Sequence, residues 1–376
     1  MEIRQRALLG CAIAVTILLF ACGMPQSAVV VSAGPAVSGV LNPAGVAPEG
    51  LESVGMYVLW QHDLGQIEGG KEIREVYLAG DNLLVEAGGT LFLFDAAKGF
   101  CKGAASLKGV LDQAPVMVGN SLYLMCGTWL LDVNPDSGEI RRDLAPRVAA
   151  TCAPVPYPGS LLLGDATGRV VRFGLETGEH VWLASAEGAV TTPPVVDGKS
   201  VYVVGYKAKA VAMTGSEGKD LWTWSPAPPS QLTSGLMFAD GRLYVGDNRG
   251  FVYCLLAEAG VPVWKYAAGG PVSLAPEFVR GKLLVFPYKS AALCMDPAGP
   301  TVLWEHPDAQ RLLATGKKGL YLLTRDNCVA YVSLETGEEK WRRPLVKDCA
   351  VASDPSRDTF YIYLRSGPIM AIRELP

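Results

Sequence analysis

The chain has 376 residues, 49% of them hydrophobic and 19% charged, a balance that supports a large buried core and excludes a disordered chain. A formal net charge of −4 gives no electrostatic reason for a nucleic-acid partner. Beyond the N-terminus, no apolar run is long enough to cross a bilayer as a helix.

At the N-terminus, Arg4 and Arg6 precede an apolar stretch from Ala7 to Phe20, the charge-then-apolar order of an export signal. Leu19-Phe20-Ala21-Cys22-Gly23 resembles the bacterial lipobox, in which a small residue precedes the cysteine that takes the lipid. Residues 1–21 thus read as a lipoprotein signal peptide and Cys22 as the lipidation site. The alternative is a plain secretory signal with a chance cysteine. Gly23 is not the aspartate of an inner-membrane retention signal, which favours the outer membrane, facing the periplasm. Residues 22–50 are rich in Ala, Val, Gly, Pro and Ser with almost no charge, and read as a flexible tether that holds a folded body near the membrane.

From residue 51 onward one unit recurs about every 40 residues, the period of a four-stranded propeller blade. Its first turn falls at Gly80, Gly119, Gly159, Gly198, Gly241, Gly281 and Gly319. A second turn, TG or a relative, falls at Gly99, Gly138, Gly178, Gly218, Gly260, Gly299 and Gly337, where glycine supplies the positive φ of a tight reversal. An aromatic position follows each later turn, as Trp182, Trp222, Trp264, Trp304 and Trp341, with Trp60 in the N-terminal piece. A large flat side chain at one place per repeat suits the wedge between neighbouring blades. Blades one and two lack it, and Arg142 stands near the second site.

Seven full repeats leave a fragment at each end. Residues 58–63 (VLWQHD) match the outer strand at 302–307 (VLWEHP), and residues 351–373 supply three strands without a fourth. The N-terminal piece therefore completes the C-terminal blade. The expected fold is all-β: residues 51–376 form an eight-bladed propeller of four-stranded antiparallel blades, closed by the N-terminal strand.

The segments VVRFGLETGEHVW (170–182) and VAYVSLETGEEKW (329–341) resemble the quinoprotein-type (PQQ-like) propeller repeat, AxDxxTGxxxW, and the likeness runs over about residues 51–376. Length, lipid-anchor motif and eight blades are also similar to those of the outer-membrane assembly lipoproteins. The resemblance implies a monomeric, non-catalytic scaffold that binds envelope proteins, among them the β-barrel assembly machinery. The aspartate before the TG turn is often replaced, and no partner-contact motif matches residue by residue.

Enzymes sharing this repeat are quinone (PQQ)-dependent dehydrogenases, which resemble one another in a vicinal cysteine pair, a calcium site and long roofing insertions. No two cysteines are adjacent here, and about 40 residues per blade leave little beyond strands and turns. No cofactor, metal site or catalytic set is expected. A small-molecule or glycan site in the channel is the alternative, and would need aromatic and amide side chains converging at one mouth. His62, His180 and His306 lie on outer strands of separate blades and read as exposed strand residues. Acidic turns at 164–168 and 246–250 read as turn chemistry rather than calcium loops. The connection at 225–230 (SPAPPS) reads as a stiff exposed loop, and that at 266–271 (YAAGGP) as a flexible one. Export places the cysteines where disulfides form. Cys126 and Cys328 occupy the same turn in blades two and seven, and Cys152 and Cys349 both begin the next blade's innermost strand. Bridges Cys126–Cys152 and Cys328–Cys349 are expected, against the alternative of buried free thiols.

Overall fold

The computed structural model describes residues 43–44, 51, 55–64, 72–205 and 209–375. Cys22 and the signal peptide lie outside the described residues, as does most of the tether.

Among the described residues all regular structure is β, in eight separate four-stranded antiparallel sheets. In seven of them the strands neighbour one another in chain order, from the channel outward. Blade one runs from Ile73–Ala79 to Cys101–Ser106, and blade seven from Ala309–Thr315 to Glu339–Pro344. The eighth sheet consists of Cys349–Ser353, Thr359–Leu364, Pro368–Glu374 and, as its outer strand, Met56–Asp63. Met56 pairs with Glu374 and Asp63 with Pro368, so the two ends of the chain close the ring as the repeat register requires.

Second and third strands carry nearly continuous apolar runs, because each sheet is covered on both faces by its neighbours. Asn82–Ala87 is buried at every position. Alternation then sends successive side chains into different cores. Leu83 and Val85 enter the core shared with blade eight, whereas Leu84 enters the core shared with blade two. Eight such inter-blade cores follow one another around the ring.

The strands run so that two sets of loops emerge on opposite faces. One, here the hairpin face, carries the turns between first and second strands and between third and fourth. The other, the connector face, carries the turns between second and third strands and the connections between blades.

Candidate interaction surface

The tryptophan positions make a repeated joint that is more specific than wedge filling. Trp60 donates its indole N–H to the Ala96 carbonyl at 3.0 Å, Trp182 to Gly215 at 2.9 Å, Trp222 to Ala257 at 2.8 Å, Trp264 to Pro297 at 3.2 Å and Trp304 to Leu334 at 2.9 Å. Each acceptor lies in the next blade, at the same place in its third-to-fourth-strand turn. In four of these joints the ring lies against the turn glycine. A Cβ on Gly99, Gly218, Gly260 or Gly337 would stand 2.5–2.7 Å from the docked ring. Those glycines therefore serve twice, once for φ values of 66–76° and once for close approach.

Three joints depart from this pattern. Arg142 replaces the ring between blades two and three, yet its guanidinium donates to the equivalent carbonyl, Leu175, at 2.9 Å. It also holds the buried Asp132 at 2.8 Å. Gly103 occupies the position between blades one and two, and there the backbones themselves meet, since a Cβ on Gly103 would lie 1.9 Å from the Ser137 carbonyl oxygen. Trp341 has nothing to dock on, because blade eight is made from the two chain ends and has no such turn. Its indole N–H is buried without a hydrogen-bond partner among the described residues, and its ring stacks on Tyr331 at 5.8 Å.

The expected disulfides are not formed, and side-chain direction is the reason. Cys126 and Cys152 are both buried free thiols, but Cys126 fills the core between blades one and two and Cys152 the core between three and four. Between them lies the core of blades two and three, into which Met125 points instead. Cys328 and Cys349 fail in the same way. Cys349 packs in the core of blades seven and eight, as does Val329, whereas Cys328 alternates with Val329 onto the sheet's other side. Burial pushes all four thiols up to about 11, which leaves little thiolate for exchange.

His62 and His180 are exposed, the latter with Nε2 2.6 Å from the Pro146 carbonyl. His306 corrects the expectation of exposure: it is 2% exposed in the joint of blades six and seven, between Glu339 at 3.1 Å and Asp308 at 3.3 Å. Arg342 binds the same two carboxylates and Asp326. Burial alone would raise the Glu339 carboxyl, but hydrogen bonds from His306 and Arg342 outweigh it and hold the group down at about 2.

The acidic turns are satisfied from within. Asp165 accepts from the backbone and hydroxyl of Thr167 and from the backbone and guanidinium of Arg169. Asp247 accepts from the backbone of Arg249 and Phe251 and from the Tyr253 hydroxyl. In the 225–230 connection Ala227, Pro228 and Pro229 are exposed. The 266–271 connection is held rather than loose: the Pro271 carbonyl accepts from Tyr288 N at 2.7 Å, and a Cβ on Gly270 would stand 2.4 Å from the Tyr288 carbonyl oxygen.

Of the cavities among the described residues, three bear on binding. On the hairpin face, one of about 630 Å³ lies between Arg280, Lys317, Arg357 and Tyr361, and one of about 490 Å³ beside it includes Met237, Glu277, Phe278 and Asp354. Burial, then the Asp354 charge, pushes the Glu277 carboxyl up to about 7. Neither cavity is lined by an amide side chain, so the aromatic-and-amide convergence that a sugar or quinone pocket would need is not met there. On the connector face, a cleft of about 480 Å³ between blades six and seven is lined by Leu274, Phe286, Pro287, Tyr288, Gln310 and Arg325, among others. Tyr288 is 62% exposed and Leu274 47%, unusual for large apolar side chains. Rigid turns presenting apolar and charged side chains at a rim can bind a protein surface. The sequence held no signal for this cleft, because its residues come from two blades.

Comparison with known proteins agrees with this architecture. A family model described as outer membrane protein assembly factor BamB matches residues 127–236 and 216–367. The BamB of Burkholderia pseudomallei is 24% identical over 263 residues, covering 64% of this chain and 67% of that protein. A polyvinylalcohol dehydrogenase from Sphingopyxis is 26% identical over 231 residues, 51% of this chain, but this chain spans only 35% of that enzyme's length. The crystal structure of BamB from Moraxella catarrhalis superposes with a TM-score of 0.66 at 11% identity, covering 85% of this chain and 99% of that one.

Proposed function

The chain belongs to the BamB family of PQQ-like repeat proteins, and from that membership we propose that it is a non-catalytic propeller scaffold for the assembly of outer-membrane β-barrel proteins, anchored in the envelope through lipidated Cys22. The observation that carries the reading is the family match, which runs from blade two to blade eight. The geometry supports it. Strongly perturbed groups such as Glu339 and Arg342 bind one another inside joints, where they fix blades rather than meet a substrate. Glu277 and Asp354 do face open space, but the two hydroxyls that line it with them are held in turns, Ser356 donating to Asp354 and Thr315 to the Pro355 carbonyl, each at 2.7 Å.

Crosslinking in living cells, followed by identification of the attached proteins, tests the proposal. Recovery of β-barrel assembly components is the expected result. Recovery of no envelope protein, or dye-linked alcohol oxidation on adding quinone and calcium, would overturn it. For the anchor, Cys22→Ala should release the protein from membranes and abolish metabolic palmitate labelling.

A further inference from the structure

The turn between second and third strands occupies the same place on the connector face of every blade. In blades five, six, seven and eight it carries an exposed cation, in turn Arg249, Lys289, Arg325 and Arg365. The described turns of blades one, two and three carry none at the corresponding loop, where Gly88-Gly89, Gly127-Thr128 and Ala166-Thr167 stand instead. None of the four cations makes an ion pair among the described residues.

Acids are present nearby, of which Asp247 is buried and Asp326, though half exposed, is held by Arg342. Asp247 is 0% exposed and consumed by its own turn and Tyr253. Asp308 and Asp326, which flank Arg325, are both drawn into the joint by Arg342. Arg325 itself donates to two carbonyls, Ser290 and Pro307, which orient the guanidinium without neutralising it. Lys289 lies over the exposed Tyr288 ring at 5.1 Å. Lys347 and Asp348, in the next connection, add one charge of each sign. The connections at 225–236 and 268–276 contribute no charge at all.

The turns of blades five, six and seven form one continuous surface, and Arg365 stands on the next turn around the ring. The blade-five turn packs on the connection to blade six, where a Cβ on Gly250 would stand 2.7 Å from the Gly270 carbonyl oxygen. Gly270 packs in turn on the blade-six turn, and Arg325 of blade seven reaches that turn at Ser290 O, 2.7 Å away. Leu274 and Tyr288 open the apolar cleft in the middle of this arc.

We propose that the arc of Arg249, Lys289, Arg325 and Arg365 with the Leu274–Tyr288 cleft is a docking surface for an acidic, extended segment of a partner protein. The segment's carboxylates meet the unneutralised cations, and one of its apolar side chains enters the cleft. An uncompensated row of charge around an apolar centre selects a partner by complementarity and speeds its encounter. The inference deepens the scaffold reading and rests on it for the existence of a protein partner.

The test uses the full-length lipoprotein in non-ionic detergent and a labelled acidic peptide with a central Phe-Leu pair. The intact protein should bind the peptide, more weakly as salt rises. Arg249→Glu with Lys289→Glu, neither of which donates a side-chain hydrogen bond within the described residues, should lower affinity by about tenfold or more with an unchanged unfolding midpoint. Leu274→Ser should weaken binding while leaving the salt dependence intact. Equal affinity for the charge-reversed protein, or binding of phosphatidylglycerol vesicles through these cations with no binding of the peptide, overturns the proposal. Peptide binding without any envelope partner in cells would sink the assembly role alone. Envelope partners whose capture ignores the charge reversal would sink the docking surface alone.

Discussion

The joint between blades four and five and the joint between blades one and two solve one packing problem in opposite ways. At the former, Trp222 spans the wedge, lies on Gly260 and caps the Ala257 carbonyl. At the latter there is no side chain, and the Gly103 strand closes directly on the Ser137–Gly138 backbone, with Lys102 binding Asp136 at 2.6 Å beside it. The Arg142 joint lies between these extremes, keeping the hydrogen bond of the ring while exchanging its apolar face for an ion pair. The ring thus requires a filled wedge at each joint, and the residue that fills it can vary.

Breaking the closure should have the largest effect. Removing the strand Met56–Asp63 takes away both the outer strand of blade eight and the Trp60 joint to blade one. Loss of most of the ~5–15 kcal/mol that holds a domain together is expected, seen as a broad, early calorimetric transition. A cooperative transition at an unchanged temperature would contradict it.

The Gly103 joint should be nearly as sensitive as a tryptophan joint, despite having no side chain. Gly103→Ala puts a methyl group within 1.9 Å of a backbone oxygen that cannot rotate away, and should cost about 3 kcal/mol. Trp222→Ala should cost about 3–5 kcal/mol. Urea titration of the pair measures whether close approach and ring packing are equivalent.

Converting the Arg142 joint sharpens the comparison further. Arg142→Trp leaves Asp132, whose side chain is 4% exposed, without its cation, and should destabilise by about 2 kcal/mol. Adding Asp132→Ala reproduces the Ala212–Trp222 cross-strand pair and should recover most of that loss. A double-mutant cycle with no coupling would show that the two joints are not variants of one design.

The smallest effect separates two tryptophans. Trp304→Phe gives up a buried hydrogen bond to Leu334, whereas Trp341→Phe removes an N–H that has no partner among the described residues. The Trp341 substitution should therefore be milder by about 1 kcal/mol in matched denaturation curves. Equal losses would mean that the indole bonds contribute nothing to the joints.

How far the sequence could be read follows from where each kind of information is stored. Turn glycines, TG turns and outer-strand tryptophans are local and repeat in register, so blade number, strand order and closure through residues 58–63 were legible from the sequence. The same register placed Cys126 with Cys152 and Cys328 with Cys349 on a common rim. It did not tell which side of a sheet each thiol takes, because a strand reverses that side at every residue and a one-residue difference moves the thiol to another core.

The site depended still more on the folded ring. Leu274 and Tyr288 share a cleft with Arg325 only because blades six and seven stand side by side, and His306 meets Glu339 and the Arg342 cluster only because the outer strand of blade seven stands beside that of blade six. By itself the sequence determined the repeat, its count and its closure, since those are set by hydrogen-bonding and turn preferences within some 40 residues. The tertiary structure alone decided which side chains meet across blades: the carbonyl that Arg142 caps lies 33 residues away, and such contacts exist only when the whole ring fixes the distance between neighbouring sheets.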